Sequence, residues 1–469
     1  MPSPHPLELA EILSLVAVYL PLRSLPSCAR VSKAWYQACI PLIWRDIDLG
    51  KLPQSTALIQ RHSHLVKKVE IVPESREHEY TALRFSNLES IHFMSAYQVR
   101  SNDIAQFIMN HPTTTCLEMR NLSTKCDPAF WEALLGFCNL RTLAMSSREI
   151  FGTNLDKFWP FCTRLERLDI TMWNRIDIPL PPGEYPNLKH LSVYGSDAVV
   201  PFFMGFLQKC PHLTSIGWRA APSQEARFVS GLSELLEANA LPNLECLMTG
   251  TKEISNEVFT RLIQSLPLRI NTLSIGFSRS ALDLDFETLF RPHFSNLRDL
   301  EVLANEDIKS PFAQLVMSSC PLLEKLTAPH VDALVVTEGG PWVCSRLKVL
   351  NLTFCFDPPK TVSHLQPLVF DRLSKLTRLE ELRMLGPRKQ YNIGGTVELT
   401  IEYGLHKLST LRLLRSITHR PMVERMDEAE VDWILEHWKS LILFHGLLSD
   451  GTLVRRLERH GIKVAQYIC

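Results

Sequence analysis

The chain has no excess of either charge. Lysine and arginine total 50 and aspartate and glutamate total 50 in 469 residues, with no long run of one sign. Nucleic acid or an anionic bilayer would call for a basic surface, so binding to either lacks electrostatic support. No apolar run is long enough to span a bilayer, because the stretch from Ile12 to Leu22 is short and breaks at Pro21. The N-terminus also lacks the basic region of a secretory signal. The twelve cysteines are scattered singly, with no CxxC pair and no Cys/His cluster at zinc spacing. Cys28, Cys39, Cys138, Cys162, Cys210 and Cys320 sit among apolar neighbours, where a free thiol behaves as a small hydrophobe. That usage suits a reducing compartment, and cytoplasm or nucleus is expected. Glycine is scarce at 19 residues and no glycine-rich phosphate signature occurs, which disfavours a doubly wound nucleotide-binding fold. HExxH and GxSxG are missing, and His62-Ser63-His64 reads as a solvated turn. No catalytic residue, metal or cofactor is expected.

What is present is a repeat. From residue 63 onward one phrase recurs: an apolar residue, two variable ones, an apolar residue, one variable, an apolar residue. Its fifteen starts are Val66, Leu88, Thr114, Leu140, Leu165, Leu188, Leu213, Leu244, Ile270, Leu297, Leu323, Leu347, Leu379, Leu408 and Trp438. They recur about every 27 residues, the length of a leucine-rich repeat. The alternation inside each phrase is that of a short strand with one buried face. Helix-length amphipathic segments precede the phrases, for example at 130–135, 201–207, 257–266, 311–317 and 432–437. A lone strand and helix cannot bury their apolar faces, whereas stacked copies can, so a solenoid with strands on its concave side is expected. The position three beyond the last apolar residue, Asn or Cys in regular repeats of this class, is met only by Asn305 and Cys355, so irregular turns are expected. The acidic run from Asp427 to Glu430 reads as a helix end, and Trp433 and Trp438 as capping residues. Variable strand positions should line the concavity. The candidates for binding a partner are Arg167, Asp169, His190, Tyr194, Arg219, Glu301 and Arg383, a polar set of both signs suited to reading a protein surface.

Residues 6 to 44 read differently. Glu11-Ile12-Leu13, Leu20-Pro21, Val31-Ser32-Lys33-Ala34-Trp35 and Leu42 to Trp44 fall in order across three short amphipathic segments. So small a bundle, rich in leucine and carrying two tryptophans, should leave apolar surface seeking a partner. The run resembles the F-box, with Ala10 where that family usually has proline. The resemblance implies docking onto the Skp-type adaptor of a cullin-RING ubiquitin ligase. Leu9, Ile12, Leu13, Leu22, Leu25, Val31, Trp35 and Trp44 are the adaptor-binding candidates, some of which must instead form the bundle's own core.

The full chain is therefore read as an α/β protein: an F-box at 1–48, a linker or first cap at 49–62, a leucine-rich-repeat solenoid of about fifteen irregular repeats at 63–446, and a C-terminal cap at 447–469. It resembles the F-box/leucine-rich-repeat proteins, the substrate receptors of SCF-type ligases. Its expected partners are the Skp-type adaptor, through it the cullin and RING subunits, and a protein target. A leucine-rich-repeat scaffold without a ligase role is the alternative. A GTPase activator or an inhibitor-like solenoid is a third class, and the mixed lining disfavours the inhibitor.

Overall fold

The computed structural model describes residues 10–50, 56–72, 80–94, 101–122, 128–147, 155–172, 183–195, 200–220, 222–250, 254–277, 284–304, 311–328, 330–384, 397–419, 426–446 and 450–465. The chain divides into two compact units, Met1–Leu213 and Thr214–Cys469. Among the described residues no helix is long and apolar enough to cross a membrane.

The first unit begins with a helical bundle: α1 (Ala10–Tyr19), α2 (Leu25–Cys28) and α3 (Lys33–Arg45). Ser32 caps α3 by accepting a hydrogen bond from the Trp35 backbone N–H at 3.2 Å, which fixes where the third helix starts. Leu13, Ala17, Leu25, Ala38 and Cys39 form its buried centre, with Leu20, Cys28, Ala34, Trp35, Leu42 and Ile43 packed around them.

A parallel ladder follows without a break in the chain. Its strands are β1 (Asp46–Asp48), β2 (Lys68–Ile71), β3 (Ser90–Phe93), β4 (Cys116–Leu122), β5 (Thr142–Ser147), β6 (Arg167–Met172) and β7 (His190–Gly195). Each pairs in register with the next, so Val69, Ile91, Leu117, Leu143, Leu168 and Leu191 form one buried column. Helices such as Pro128–Leu135 and Val200–Leu207 return the chain between strands. The ladder starts at Asp46, inside the segment expected to be F-box. Trp44, Ile47 and Leu49 repeat the strand phrase there, and the Lys67 N–H donates to the Arg45 carbonyl at 2.8 Å. Trp44 stacks on His62 with ring centroids 4.6 Å apart, so the expected linker is packed against the end of α3. Burial, with help from Arg61 and His64, lowers the His62 pKa.

The second unit carries β8 (Ser215–Ala220), β9 (Cys246–Thr249), β10 (Thr272–Phe277), β11 (Asp299–Ala304), β12 (Lys325–Thr327), β13 (Val331–Asp332), β14 (Val349–Asn351), β15 (Phe354–Cys355), β16 (Glu381–Met384), β17 (Ser416–His419), β18 (Leu443–His445) and β19 (Lys463–Ala465). β13 and β15 make a separate two-stranded pair, and the remaining ten strands stack in parallel from β8 to β19. Thirteen of the fifteen phrases run into strands as expected, each strand beginning two residues after the phrase start. Two are displaced. The strand after Leu408 sits six residues later, on Leu414 and Ile417, because 405–410 is a 3-10 helix whose three-residue period mimics the phrase, and Leu413 is exposed. The last phrase likewise runs from Leu441 through Phe444 rather than from Trp438. β19 adds a further strand within the expected C-terminal cap.

The turns are tied by a device the expected Asn/Cys position did not reveal. The Asn just before a phrase start donates to the carbonyl two residues before the preceding one. Asn87 reaches His64 at 2.7 Å, Asn187 reaches Thr163 at 3.0 Å, and Asn296 reaches Leu268 at 2.7 Å. Asn305 lies outside the described residues, whereas Cys355 is fully buried. Asp427 is the N-cap of the helix Glu428–His437 in a reciprocal capping box with Glu430, as the acidic run suggested. Trp438 is buried and its ring N–H donates to the Leu408 carbonyl at 3.2 Å. One expectation about cysteine changes: Cys138 is exposed.

Gln366 shows what a buried amide does between irregular repeats. Its NH2 donates to the carbonyls of Glu398 at 2.6 Å and Tyr403 at 3.2 Å, and its oxygen accepts from the Glu398 N–H at 2.8 Å. Gln366→Leu keeps the volume and strands those backbone groups, so it should destabilise the second unit by about 1–3 kcal/mol per stranded group, read by urea unfolding. Unchanged stability would show that water replaces the amide.

Two buried histidines give an acid dependence. Burial lowers the pKa of His111 to about 4, against the opposing hydrogen bond to the Phe107 carbonyl, and burial does the same to His419. His111 Nε2 accepts from the Phe85 N–H at 3.1 Å, so Nδ1 carries the proton donated to Phe107 at 2.7 Å. Protonating Nε2 would break the first bond. The unfolded chain takes up these protons near 6.5 and the folded chain only near 4, so stability is full above that window and is lost as pH falls through it. Melting temperatures from pH 7 to pH 4 should drop, and drop less in His111→Asn; a flat profile would refute the account.

Candidate docking surface and the solvent face of the ladder

The bundle's size decides its surface. With only five buried residues at its centre it cannot cover its remaining apolar side chains. Leu15, Val18, Tyr19 and Leu22 follow one another at spacings of three, one and three residues, a stripe distinct from that of Leu13 and Ala17. All four are exposed, Tyr19 to 86% and Leu22 to 65%. Val31 is 70% exposed just before α3, and Tyr36 is exposed within it. With Val16, also exposed, that makes seven large apolar side chains on so small a bundle, more than scattered exposure accounts for.

The structure sorts the adaptor-binding candidates accordingly. Leu22 and Val31 are outside. Leu13 and Leu25 are buried in the bundle, so a partner would reach them only by opening it. Ile12, Trp35 and Trp44 are half-buried, and Leu9 lies outside the described residues. Leu15, Val18, Tyr19 and Tyr36 are exposed beside Leu22 and Val31 and stand outside that candidate set, although the spacing of the first three with Leu22 is legible in the sequence.

The ladder candidates lie on the solvent side of the strands, as the alternation implied. In the first unit, Arg167 donates from Nε to Asp169 Oδ2 at 2.9 Å, and His190 is its register partner on β7. Burial first, then Arg167, lowers the His190 pKa, and Tyr194 stands exposed two rungs along the same strand face. These four share adjacent strands. In the second unit, Glu301 accepts from the Ser274 hydroxyl at 2.8 Å, Arg383 pairs with Glu381 at 3.2 Å, and Arg219 is exposed on β8. Gly250 lets that last side chain pass, since a Cβ there would lie 2.9 Å from Arg219 Cγ. β8, β11 and β16 stand three rungs apart in turn, about 14 Å each, so these three residues do not converge.

A family model described as F-box-like matches residues 10–50. No curated protein matches the sequence. Among solved structures, the yeast complex of Rad7 and Elc1 aligns over 97% of this chain and 92% of its own, at 12% identity and a TM-score of 0.44. A leucine-rich-repeat protein of Leptospira interrogans aligns over 90% and 96%, at 14% identity and a TM-score of 0.38. Residues 10–50 are an F-box-like domain, and the in-register parallel ladder with intervening helices is a leucine-rich-repeat fold. The chain thus carries an F-box-like domain at its N-terminal end and a parallel strand ladder of leucine-rich-repeat type after it.

Leu13→Asp should cost roughly 3–5 kcal/mol by placing an unpaired charge in the bundle. Leu22→Asp and Val31→Asp should change stability by about 0.5 kcal/mol or less. Hydrogen exchange of residues 10–50 reads the difference locally, and equal loss of protection in all three would overturn this sorting of core from surface.

Proposed function

We propose that this chain is a substrate-recognition subunit of an SCF-type ubiquitin ligase. The N-terminal bundle binds the Skp-type adaptor, and the solvent face of the ladder binds a protein target. The observation that carries the reading is the exposed apolar stripe of Leu15, Val18, Tyr19 and Leu22 with Val31 on an F-box-like bundle. Through the adaptor the chain joins the cullin and RING subunits. It makes no bond itself, and its contribution is a raised effective concentration of a target lysine near the charged conjugating enzyme. The free buried thiols Cys162 and Cys210 fit a cytoplasmic or nuclear setting. A scaffold without ligase role is the second reading, favoured by Ala10 at the start of α1, where the family usually has proline.

The test is co-expression with a Skp-type adaptor and cullin. Stoichiometric recovery of both, lost in a Leu22→Asp/Val31→Asp variant with an unchanged melting temperature, supports the receptor. Adaptor recovery without cullin leaves the scaffold. A well-folded chain that ignores the adaptor removes both roles for the bundle.

A further inference from the structure

The first unit's ladder places three different metal-ligating groups together on its solvent side. Ser90 and His92 of β3 stand in register with Cys116 and Glu118 of β4. One ligand atom from each of His92, Cys116 and Glu118 lies within 4.8 Å of the others, and all three residues are half-buried. We propose that His92, Cys116 and Glu118 form a binding site for a zinc-class divalent ion.

Four features of the geometry support this. His92 Nδ1 and Glu118 Oε2 are 3.4 Å apart, and two ligands at ordinary Zn–N and Zn–O lengths on a tetrahedral centre stand about 3.4 Å apart. The other ring nitrogen, Nε2, lies 2.8 Å from the Ser90 hydroxyl, the outer partner that fixes the orientation of a ligating imidazole. A thiolate and a carboxylate neutralise a doubly charged ion, and a soft sulfur beside an imidazole favours zinc over magnesium or calcium. The register also leaves room: Ala144 of β5 is the small neighbour of Glu118, and Glu70 of β2 is the neighbour of His92. Three protein ligands leave one coordination position towards solvent, open to water, Glu70 or a group brought by a partner.

Burial lowers the His92 pKa, with Glu118 and Glu70 opposing it and Lys68 and Arg120 assisting. Burial raises the Cys116 thiol pKa, with Ser90 opposing. Arg120 now holds Glu118 at 3.2 Å, but it is 59% exposed and can move into water. The site does not depend on the docking surface, so failure of adaptor binding would leave it standing.

The test titrates the full chain, stripped of metal by a chelator, with Zn2+ and Co2+. One ion per chain, with a thiolate-to-cobalt charge-transfer band, is the expected result. Cys116→Ser should remove the band, His92→Gln should weaken binding at least about ten-fold, and Ser90→Ala should weaken it about 10–100-fold. Cys138→Ser, on the exposed thiol elsewhere, should change nothing. Should Cys116→Ser lower the melting temperature, the near-isosteric Glu118→Gln carries the test and should also lose affinity. A wild-type affinity matched by Cys116→Ser and Glu118→Gln, or a cobalt spectrum without the thiolate band, would overturn the site and leave a hydrogen-bonded polar cluster.

Discussion

A strand of three to seven residues with one buried face cannot satisfy its own backbone. Its N–H and C=O groups must pair with the strands before and after it, or be left unpaired at a cost. Every other feature of the ladder follows from that need. Side chains alternate, so the residues paired across each rung point the same way, and a leucine at the phrase centre stacks on the leucine of the next repeat. That is why Leu300, Leu326, Leu350 and Leu382 occupy one column with no solvent exposure. A one-residue slip would turn the column outward. Where an asparagine precedes the phrase, as at Asn87, Asn187 and Asn296, its tie to the preceding repeat holds the turn at the same height, so register there is set at both ends of the return loop.

The N-terminal bundle meets the same constraint differently. Helices satisfy their own backbones, so its problem is apolar area rather than hydrogen bonds. Five buried residues cannot cover three amphipathic helices. The bundle gains one neighbour through its direct fusion to the ladder, where Trp44 stacks on His62 and β1 joins β2. What that fusion does not cover is the stripe that includes Tyr19 and Leu22. Local incompleteness in a fold that is otherwise well buried is the physical ground for the docking surface proposed above.

Much of this was legible in the sequence because the phrase has a period of two and its recurrence sets the rung spacing. It failed where a different period intruded. Leu405, Leu408, Leu411 and Leu414 are three apart, and a 3-10 turn satisfies that spacing as well as a strand phrase does; only the non-apolar His419 marks the true strand, and it looks unlike its counterparts. β1 escaped notice because Trp44, Ile47 and Leu49 belong to two patterns, the last turn of a helix and the first rung of a ladder. The bundle's inner and outer leucines were not separable by type. Leu13 lies within α1 and Leu22 in a short 3-10 turn after Pro21, and three helices of unknown packing angle do not disclose which of the two is covered. The His92, Cys116 and Glu118 cluster has no metal-ligand spacing along either strand; it emerges only when the phrases starting at Leu88 and Thr114 are laid side by side, which puts His92 beside Glu118 and Ser90 beside Cys116.

The balanced charge of the chain also has a structural cause. At three places the residue after a phrase start pairs with its counterpart in the next repeat: Lys67 with Glu89, Glu166 with Lys189, Glu324 with Lys348. Arg141 and Arg298 extend two of these pairs on their other side, at 3.9 Å from Glu166 and Glu324. Each exposed pair contributes little on its own. Their collective effect is to cancel the surface field locally, so the ladder cannot draw a partner in from a distance by net charge. Discrimination must then come from short-range contacts at a few places where the pattern breaks. On the first unit's ladder such a break is the Ser90, His92, Cys116 and Glu118 group, where hydroxyl, imidazole, thiol and carboxylate replace simple alternation of sign.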